Sequence, residues 1–424
     1  MKDVGVPNAR PTRRDLLKKL GSSGLAVSGG VLATTAAPQA GSSAQVGPRA
    51  GGQTVRIGVV GGGFGTSFQW HLHPHCKVTA VCDLREDRLK RLSQVYRCDN
   101  TYRDYREFLK HPDLDAIAVF TPVPLHAWMS DLAMQAGKHV ISAVPAGLWL
   151  EEIEELLETV KRTGMRYMMA ETSYYRPQII TCREWAQEGR FGTIFYSEAE
   201  YHHEGLLALM FDDRGLPTWR HGYPPMHYPT HATGIVVPVT GERLVEVTAN
   251  GWGDDHEVLK TNRYNNPFWN ETAFFKTSGG HSTRISVFRH VAAGGAERGQ
   301  FYGTQLSYIM ERPEGSPNTV CRISKDGKLV IDSNGYPEGD VGIEAFDQPN
   351  YFERLPEPLR VRSGHGNSHT FITHEFVSAI REDRHPTVNV WEALAYTVPG
   401  IIAHRSALQG GECLKVPDYG KAPA

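Results

Sequence analysis

Between Val55 and Pro145 short apolar runs alternate with stretches of helical or loop character. VRIGVV (55–60) is apolar and β-branched nearly throughout, the pattern of a parallel strand covered on both faces. VTAVCD (78–83), LDAIAVFTP (114–122) and KHVISAVP (138–145) repeat it, and PLHAWMSDLAMQAG (124–137) reads as a helix closed by Gly137. Alternating β and α elements predict a doubly wound parallel sheet.

Further along, the period changes. GTIFYSEAEY (192–201), RLVEVTANGW (243–252), ETAFFKTSGG (271–280), TRISVFRHV (283–291) and GTQLSYIM (303–310) alternate apolar with polar residues, as in a sheet with one covered face. This predicts a second domain that is not a repeat of the first. Two amphipathic helices, His369–Arg381 and Val390–Leu408, are expected to close the chain and pack at the domain junction. The resulting division is a leader over 1–44, a nucleotide-binding domain over 54–175 and a substrate and oligomerisation domain over 176–420, with the closing helices within 368–408.

The leader has its own pattern. Arg10, Arg13, Arg14, Lys18 and Lys19 precede a mild apolar run from Leu20 to Leu32, and small residues follow in ATTAAPQAGSSA, the order of a cleaved secretory signal. Thr12-Arg13-Arg14 with Leu16, Leu17 and Lys18 resembles the twin-arginine export address. The run is shorter than the ~20 apolar residues a membrane span needs, so no stable anchor is expected. The expectation is export through the twin-arginine translocase, after folding and with any cofactor already inside, to a periplasmic or otherwise external location.

Composition narrows the partners. The 424 residues carry a formal net charge of −2, without the basic excess that favours nucleic acid or an anionic membrane. Cys76, Cys82, Cys98, Cys182, Cys321 and Cys413 are scattered, with no CxxC pair, which argues against a disulfide framework and against a cysteine metal site.

The strongest chemical signal is GGGFG, which breaks the first strand before an expected helix near Thr66. Gly61 permits a tight turn, and Gly63 lets the backbone approach a pyrophosphate at the helix N-terminus; Gly62, Phe64 and Gly65 complete the loop. Asp83 ends the second strand about 20 residues later, where a carboxylate binds adenosine ribose hydroxyls and repels a 2′-phosphate. NAD is the expected cofactor; Arg85, two residues on, leaves room for NADP.

The series GVVGGGFG, AVCD, VFTPVPLHAWMSDLAMQAGKHV and the tail HEFVSAI…VNVWEALAYTVPGIIAHRSALQGGECLKVPD resembles the Gfo/Idh/MocA oxidoreductase family, from about Val55 to Asp418. The resemblance implies an N-terminal Rossmann domain, a C-terminal α/β domain on a large, mostly antiparallel sheet, and NAD(P)-linked oxidation or reduction of a sugar or cyclitol hydroxyl. Thr121, Pro122 and His126 complete the expected cofactor set.

Where the family carries Glu-Lys-Pro, this chain has Ala143-Val144-Pro145. The family's Asp four residues before a His falls on His227, ahead of His231, and the Asp three residues after falls on Gly234. WRHGYPPMHYPTHATG (219–234) and EYHHE (200–204) are similar to the NAD-dependent α-N-acetylgalactosaminidase branch, which also has valine for the lysine. That likeness places Tyr201 and His203 near the sugar.

Hydride abstraction from a carbinol needs a base for the hydroxyl proton, and an imidazole suits it. His231 is the choice for that role, with Tyr228 and His203 as acid or base partners. His227 is a further acid or base candidate, for which a structural role is the preferred reading. Trp128, Trp149 and Trp269 could stack on sugar rings, although core packing accounts for such residues equally well. HLHPHC (71–76) and SGHGNSH (363–369) gather histidines but not with the spacing or carboxylates of a metal site, so no metal is expected.

Three functions fit these residues: an NAD-dependent carbohydrate oxidoreductase with tightly held cofactor, a glycoside hydrolase using transient NAD-mediated oxidation, elimination and re-reduction, or an exported sugar-binding protein without turnover. In each the small-molecule partner is a sugar, cyclitol or glycoside, and a homo-oligomer is expected.

Overall fold

Six strands make one parallel sheet: β1 (Val55–Val60), β2 (Cys76–Cys82), β3 (Thr101–Tyr102), β4 (Ala116–Val119), β5 (His139–Ser142) and β6 (Tyr167–Met169), ordered β3-β2-β1-β4-β5-β6. This computed structural model describes residues 54–423 apart from 293–295, 313, 323–329, 332, 335, 336 and 339–341. The expected export signal, with Arg13, Arg14 and the Leu20–Leu32 run, lies outside the described residues.

The apolar runs explain the sheet. Ile57, Val59, Ile117, Ala118, Val140 and Ile141 have no exposed surface, as strands covered by helices on both faces require. Their polar interruptions occur at the carboxyl ends, where the chain order reverses between β1 and β4, the switch point at which doubly wound sheets bind ligands.

The crossover from β1 to β2 departs from the expected helix near Thr66. It contains only the short 3₁₀ turns Gly65–Ser67 and Trp70–Leu72. Phe68 and Trp70 are both fully buried. Two residues apart, they cannot share a helix face, and Pro74 further limits a helix before β2 begins at Cys76.

The second sheet has nine strands. They are β7 (Ile194–His202), β8 (Leu244–Trp252), β9 (Asn270–Thr277), β10 (Ser282–Phe288), β11 (Ala296–Gly303), β12 (Leu306–Ile309), β13 (Thr319–Arg322), β16 (Gly342–Ala345) and β17 (Leu414–Lys415). A separate two-stranded ribbon pairs β14 (Val330–Ile331) with β15 (Pro337–Glu338). The order β16-β13-β12-β11-β7-β10-β9-β8-β17 is antiparallel except for the β7–β10 pair. GTQLSYIM is not one strand: Thr304 and Gln305 form a turn between β11 and β12.

The helix Thr230–Thr240 lies on the inner face of this sheet, over β7, β10 and β11. The closing helices span Gly364–Arg381 and Val390–Leu408. The second is not amphipathic: residues on every side of it are buried, from Trp391 and Leu394 to Ile402 and Ala407. It is held on two sides, since Thr397 Oγ1 accepts from Ala146 N (3.4 Å) and Ser406 Oγ accepts from Ala249 N (2.9 Å). All six cysteines are free thiols, and among the described residues no helix is long and apolar enough to cross a membrane.

Candidate active site

Strand register brings the first group of site residues together. Val60 pairs with Cys82 on one side and Val119 on the other, so Gly61, Asp83 and Phe120 leave the sheet side by side. Gly61 has φ +99°, and a β-carbon there would sit 2.3 Å from the Phe120 carbonyl oxygen, so only glycine fits. The Gly62 N–H donates to Asp83 Oδ2 (2.6 Å) and the Arg85 N–H to Asp83 Oδ1 (2.8 Å). Asp83 thus braces the loop it was expected to complement.

Gly63 is exposed, leaving its backbone open to a ligand, and Thr121 Oγ1 at the end of β4 is a buried polar atom without a partner. A bare glycine backbone, a buried carboxylate and an orphaned hydroxyl fit the pyrophosphate and ribose hydroxyls of NAD. The expected helix N-terminus at Thr66 is absent, and the Gly62 and Gly65 amides of the loop are engaged by Asp83 and the Gly61 carbonyl. Arg85 is turned to Asp87 (3.0 Å) rather than to Asp83. His126 is buried, not open to a cofactor as expected: its Nδ1 is 2.8 Å from the Pro145 carbonyl and its Nε2 2.7 Å from the Thr121 carbonyl, and a neutral ring has one N–H to donate to one of the two. Burial lowers its pKa.

A second group forms where β6 ends. His231, in the first turn of Thr230–Thr240, places Nδ1 3.0 Å from Glu171 Oε1 and 3.6 Å from Glu297 Oε1. Glu171 follows β6 and is fully buried; Glu297 is an inner-face residue of β11. Arg176 Nη2 is 2.5 Å from Glu297 Oε2, and Ser173 Oγ is hydrogen-bonded to Glu297 Oε1. Burial by itself would lower the His231 pKa, but Glu171 and Glu297 outweigh it and raise the value. Burial works in the opposite direction on Glu297, yet Arg176 and then His231 hold its pKa below the usual carboxylate range.

Gly234, one helical turn after His231, explains how Glu171 fits. A β-carbon on Gly234 would lie 2.6 Å from Glu171 Cγ. The carboxylate beside His231 therefore comes from the end of β6, through space that the helix leaves empty.

Tyr201 and Tyr228 flank His231, with ring centroids at 4.7 Å and 5.4 Å. His203 lies beside Tyr201 (5.9 Å), with Nδ1 2.8 Å from the Glu204 carbonyl. His227 turns away into the core against Trp149 and His404, where burial and His404 drive its pKa well down. Trp269 is core as well, its indole N–H donating to Asp254 Oδ1 (2.8 Å).

His365 joins the two groups. Its ring is 5.7 Å from Phe64 in the glycine loop and 6.4 Å from His231, and its Nδ1 is 2.9 Å from His369 Nε2. It opens a run of three left-handed residues, with φ of 50° at His365, 65° at Gly366 and 72° at Asn367. Burial, and then His231, lower its pKa.

Glu171, His231 and Glu297 offer ligand atoms within 4.8 Å of one another, a spacing that could hold a cation. The positive partner in place is Arg176, which pairs with Glu297, and the two carboxylates favour the charged form of His231. A larger open cleft lined by Tyr174, Arg183, Arg243, Glu392 and Lys421 shares no residue with this site.

Fold and crevice together define an NAD-binding oxidoreductase-type protein. Residues 55–171 match the family model of the Gfo/Idh/MocA oxidoreductase family, NAD-binding Rossmann fold. Residues 332–423 match the glycosyl hydrolase 109 C-terminal domain. A family 109 protein of Solibacter usitatus is 24% identical, with 97% of each chain covered, and family 109 protein 2 of Akkermansia muciniphila is 26% identical with 96% of each covered. Scyllo-inositol dehydrogenase from Lactobacillus casei, solved with NAD(H) and scyllo-inositol, shares the fold at TM-score 0.64 and 18% identity, covering 86% of this chain and 99% of its own.

Proposed function

We propose that the protein acts on a sugar or cyclitol hydroxyl, with His231 taking the hydroxyl proton as hydride leaves the same carbon. The observation that carries this reading is the buried Glu171–His231 pair beside a glycine loop suited to NAD. NAD, when bound, supplies the hydride acceptor. Glu171 accepts the Nδ1 proton, which fixes the tautomer and leaves Nε2 as the base. Glu171 and Glu297 favour the imidazolium that results, and Arg176 keeps Glu297 ionised. The scyllo-inositol dehydrogenase with the same fold supports a substrate of this class.

A second reading is favoured by the family 109 match over 332–423 and by Val144 where the dehydrogenase Lys would stand. In it, oxidation of one ring hydroxyl acidifies the neighbouring C–H. A base removes that proton, the aglycone leaves from the next carbon, water adds and the ketone is reduced again, so no net redox change occurs. Tyr228 and Tyr201 beside His231, and His203 beside Tyr201, would serve the added proton transfers.

The test is to incubate the purified protein, without added nucleotide, with free sugars and aryl glycosides while following nicotinamide absorbance and products. Aglycone release without lasting NADH supports the glycosidase; a ketosugar with stoichiometric NADH supports the dehydrogenase. Absence of bound nicotinamide nucleotide and of turnover with added NAD defeats both. Replacement of His231 by Ala separates an enzyme, which loses turnover, from a binding protein, which keeps its ligand.

Export with NAD already seated is part of the proposal, supported by the Arg13-Arg14 leader. Cell fractionation with Arg13→Lys and Arg14→Lys tests it, because loss of the exported form is expected. Self-association is proposed from the outward face of the second sheet, where Phe274 and Trp252 are exposed. Light scattering of the purified protein reads the mass directly.

A further inference from the structure

Arg289 follows β10 on the inner face of the second sheet and is 5% exposed. Its guanidinium carbon lies 4.9 Å from the Tyr228 ring, 5.7 Å from Tyr223 and 5.8 Å from Tyr201. Two of its nitrogens, Nε and Nη2, are buried with no hydrogen-bond partner, and it joins no ion pair among the described residues. Aromatic faces attract a guanidinium but satisfy none of its in-plane N–H groups. A buried, unpaired cation of this kind asks for an anion.

Arg220 adds a second positive charge. Its guanidinium lies 4.2 Å from the Trp219 ring, it forms no ion pair among the described residues, and it lines the same small cavity as Arg289, with Leu206, Met210 and Tyr223. The carboxylates next to the tyrosine box, Glu171 and Glu297, are already engaged by His231 and Arg176. Neither Arg289 nor Arg220 has a carboxylate partner among the described residues. Tyr201 and Tyr228 are shared by both groups: their ring centroids are 4.7 and 5.4 Å from the His231 ring and 5.8 and 4.9 Å from the Arg289 guanidinium carbon.

We propose that the sugar carries an anionic substituent, a carboxylate or a sulfate ester, which Arg289 and Arg220 bind while His231 faces the reacting hydroxyl. This rests on the reading of the His231 cluster as the sugar site and narrows it to acidic sugars. Arg289 offers two parallel N–H groups, the geometry that suits an oxyanion, and Arg220 stands nearer solvent as the second contact.

Calorimetric titration of the NAD-loaded protein compares methyl β-D-glucuronide, glucose 6-sulfate and methyl β-D-glucoside, repeated with Arg289→Met and Arg220→Gln. The expected result is at least about tenfold tighter binding of one anionic sugar than of the neutral one, the scale of a charge-assisted hydrogen bond, and a salt-sensitive one. Either substitution should bring the anionic sugar down toward the neutral level while leaving the neutral one nearly unchanged. Preference for glucuronide identifies a carboxylate, and preference for the sulfate identifies a sulfate ester. Equal binding of neutral and anionic sugars by the unaltered protein overturns the inference, without any variant having to fold, and leaves the proposed reaction standing. Absence of binding by every sugar removes the sugar-site reading and this inference with it.

Discussion

Gly234 and Glu171 occupy complementary space: the hydrogen on the Gly234 α-carbon stands where a methyl group would come within 2.6 Å of Glu171 Cγ. Gly234 has an ordinary helical backbone, so Gly234→Ala should gain up to about 1 kcal/mol of helix propensity while overpacking costs about 1–3 kcal/mol. The expected outcome is a small change in melting temperature with a fall in turnover of about tenfold or more, because the carboxylate loses its hold on His231. Thermal unfolding and steady-state rates on one preparation check it. Unchanged turnover would show that Glu171 does not position His231.

The raised pKa of His231 has opposite signs for stability and rate. Its ion pairs stabilise the fold fully below the ordinary histidine pKa of about 6.5, and that contribution fades as pH rises through the higher folded value. Catalysis needs the neutral ring, so the rate should climb with pH around a midpoint above about 6.5. Glu171→Gln removes a favourable charge and should move the midpoint down. A pH–rate profile of both proteins checks this, and a midpoint that does not move would assign the titration to another group.

Arg176 is the counter-charge that makes Glu297 tolerable. Arg176→Met leaves a largely buried carboxylate with only Ser173 and His231 beside it and should cost up to about 3–5 kcal/mol, most of it recovered in the double variant Arg176→Met/Glu297→Gln. Denaturant unfolding of the four proteins gives the coupling. If Arg176 and His231 are the working counter-charges, dialysis against a chelator leaves turnover intact; loss of turnover restored by a divalent ion would reassign the Glu171–His231–Glu297 cluster as a metal site.

The parallel sheet was legible because its strands are covered on both sides and read as unbroken apolar runs, with Gly61 and Asp83 at their ends. His231 was legible through its neighbours in Tyr-Pro-Thr-His. Glu171, Arg176, Glu297 and His365 were not, because they come from separate elements and meet only after the two sheets pack. Glu171 did leave a trace, as a lone acid directly after the buried run YMMA, at the carboxyl end where a parallel sheet keeps its chemistry. Glu297 left none: the alternation over 296–303 is too weak to mark β11 as a strand. The missing β1–β2 helix was concealed by an expectation of the motif, although the Phe68 and Trp70 spacing spoke against it.

Asp83 has two tasks that a substitution can separate. Asp83→Asn keeps an acceptor for the Gly62 N–H but removes the charge facing the ribose, so the loop should stand while preference for NAD over NADP narrows. Asp83→Ala removes both, and a stranded loop N–H adds about 1–3 kcal/mol of destabilisation. Nucleotide retained after purification, with NADP titrations, distinguishes them. Full retention of NAD by Asp83→Ala would mean that the carboxylate is a loop brace alone.

His365 holds a left-handed backbone, which costs an L-residue roughly 1–2 kcal/mol, next to two residues in the same region. Asn367 suits that conformation, and its Oδ1 accepts from the Ser363 N–H (3.0 Å). In His365→Gly the relief of that strain is offset by the loss of ring contacts with Phe64 and His369, worth roughly 0.5–1.5 kcal/mol per pair. The melting temperature should therefore change little. Turnover should fall by about tenfold or more, because the glycine loop and the His231 cluster lose the side chain that spans them. His365→Asn, which tolerates the same backbone but lacks the ring, should behave in the same way. A variant that is more stable and equally active would show that the left-handed turn serves the chain's path and not the site.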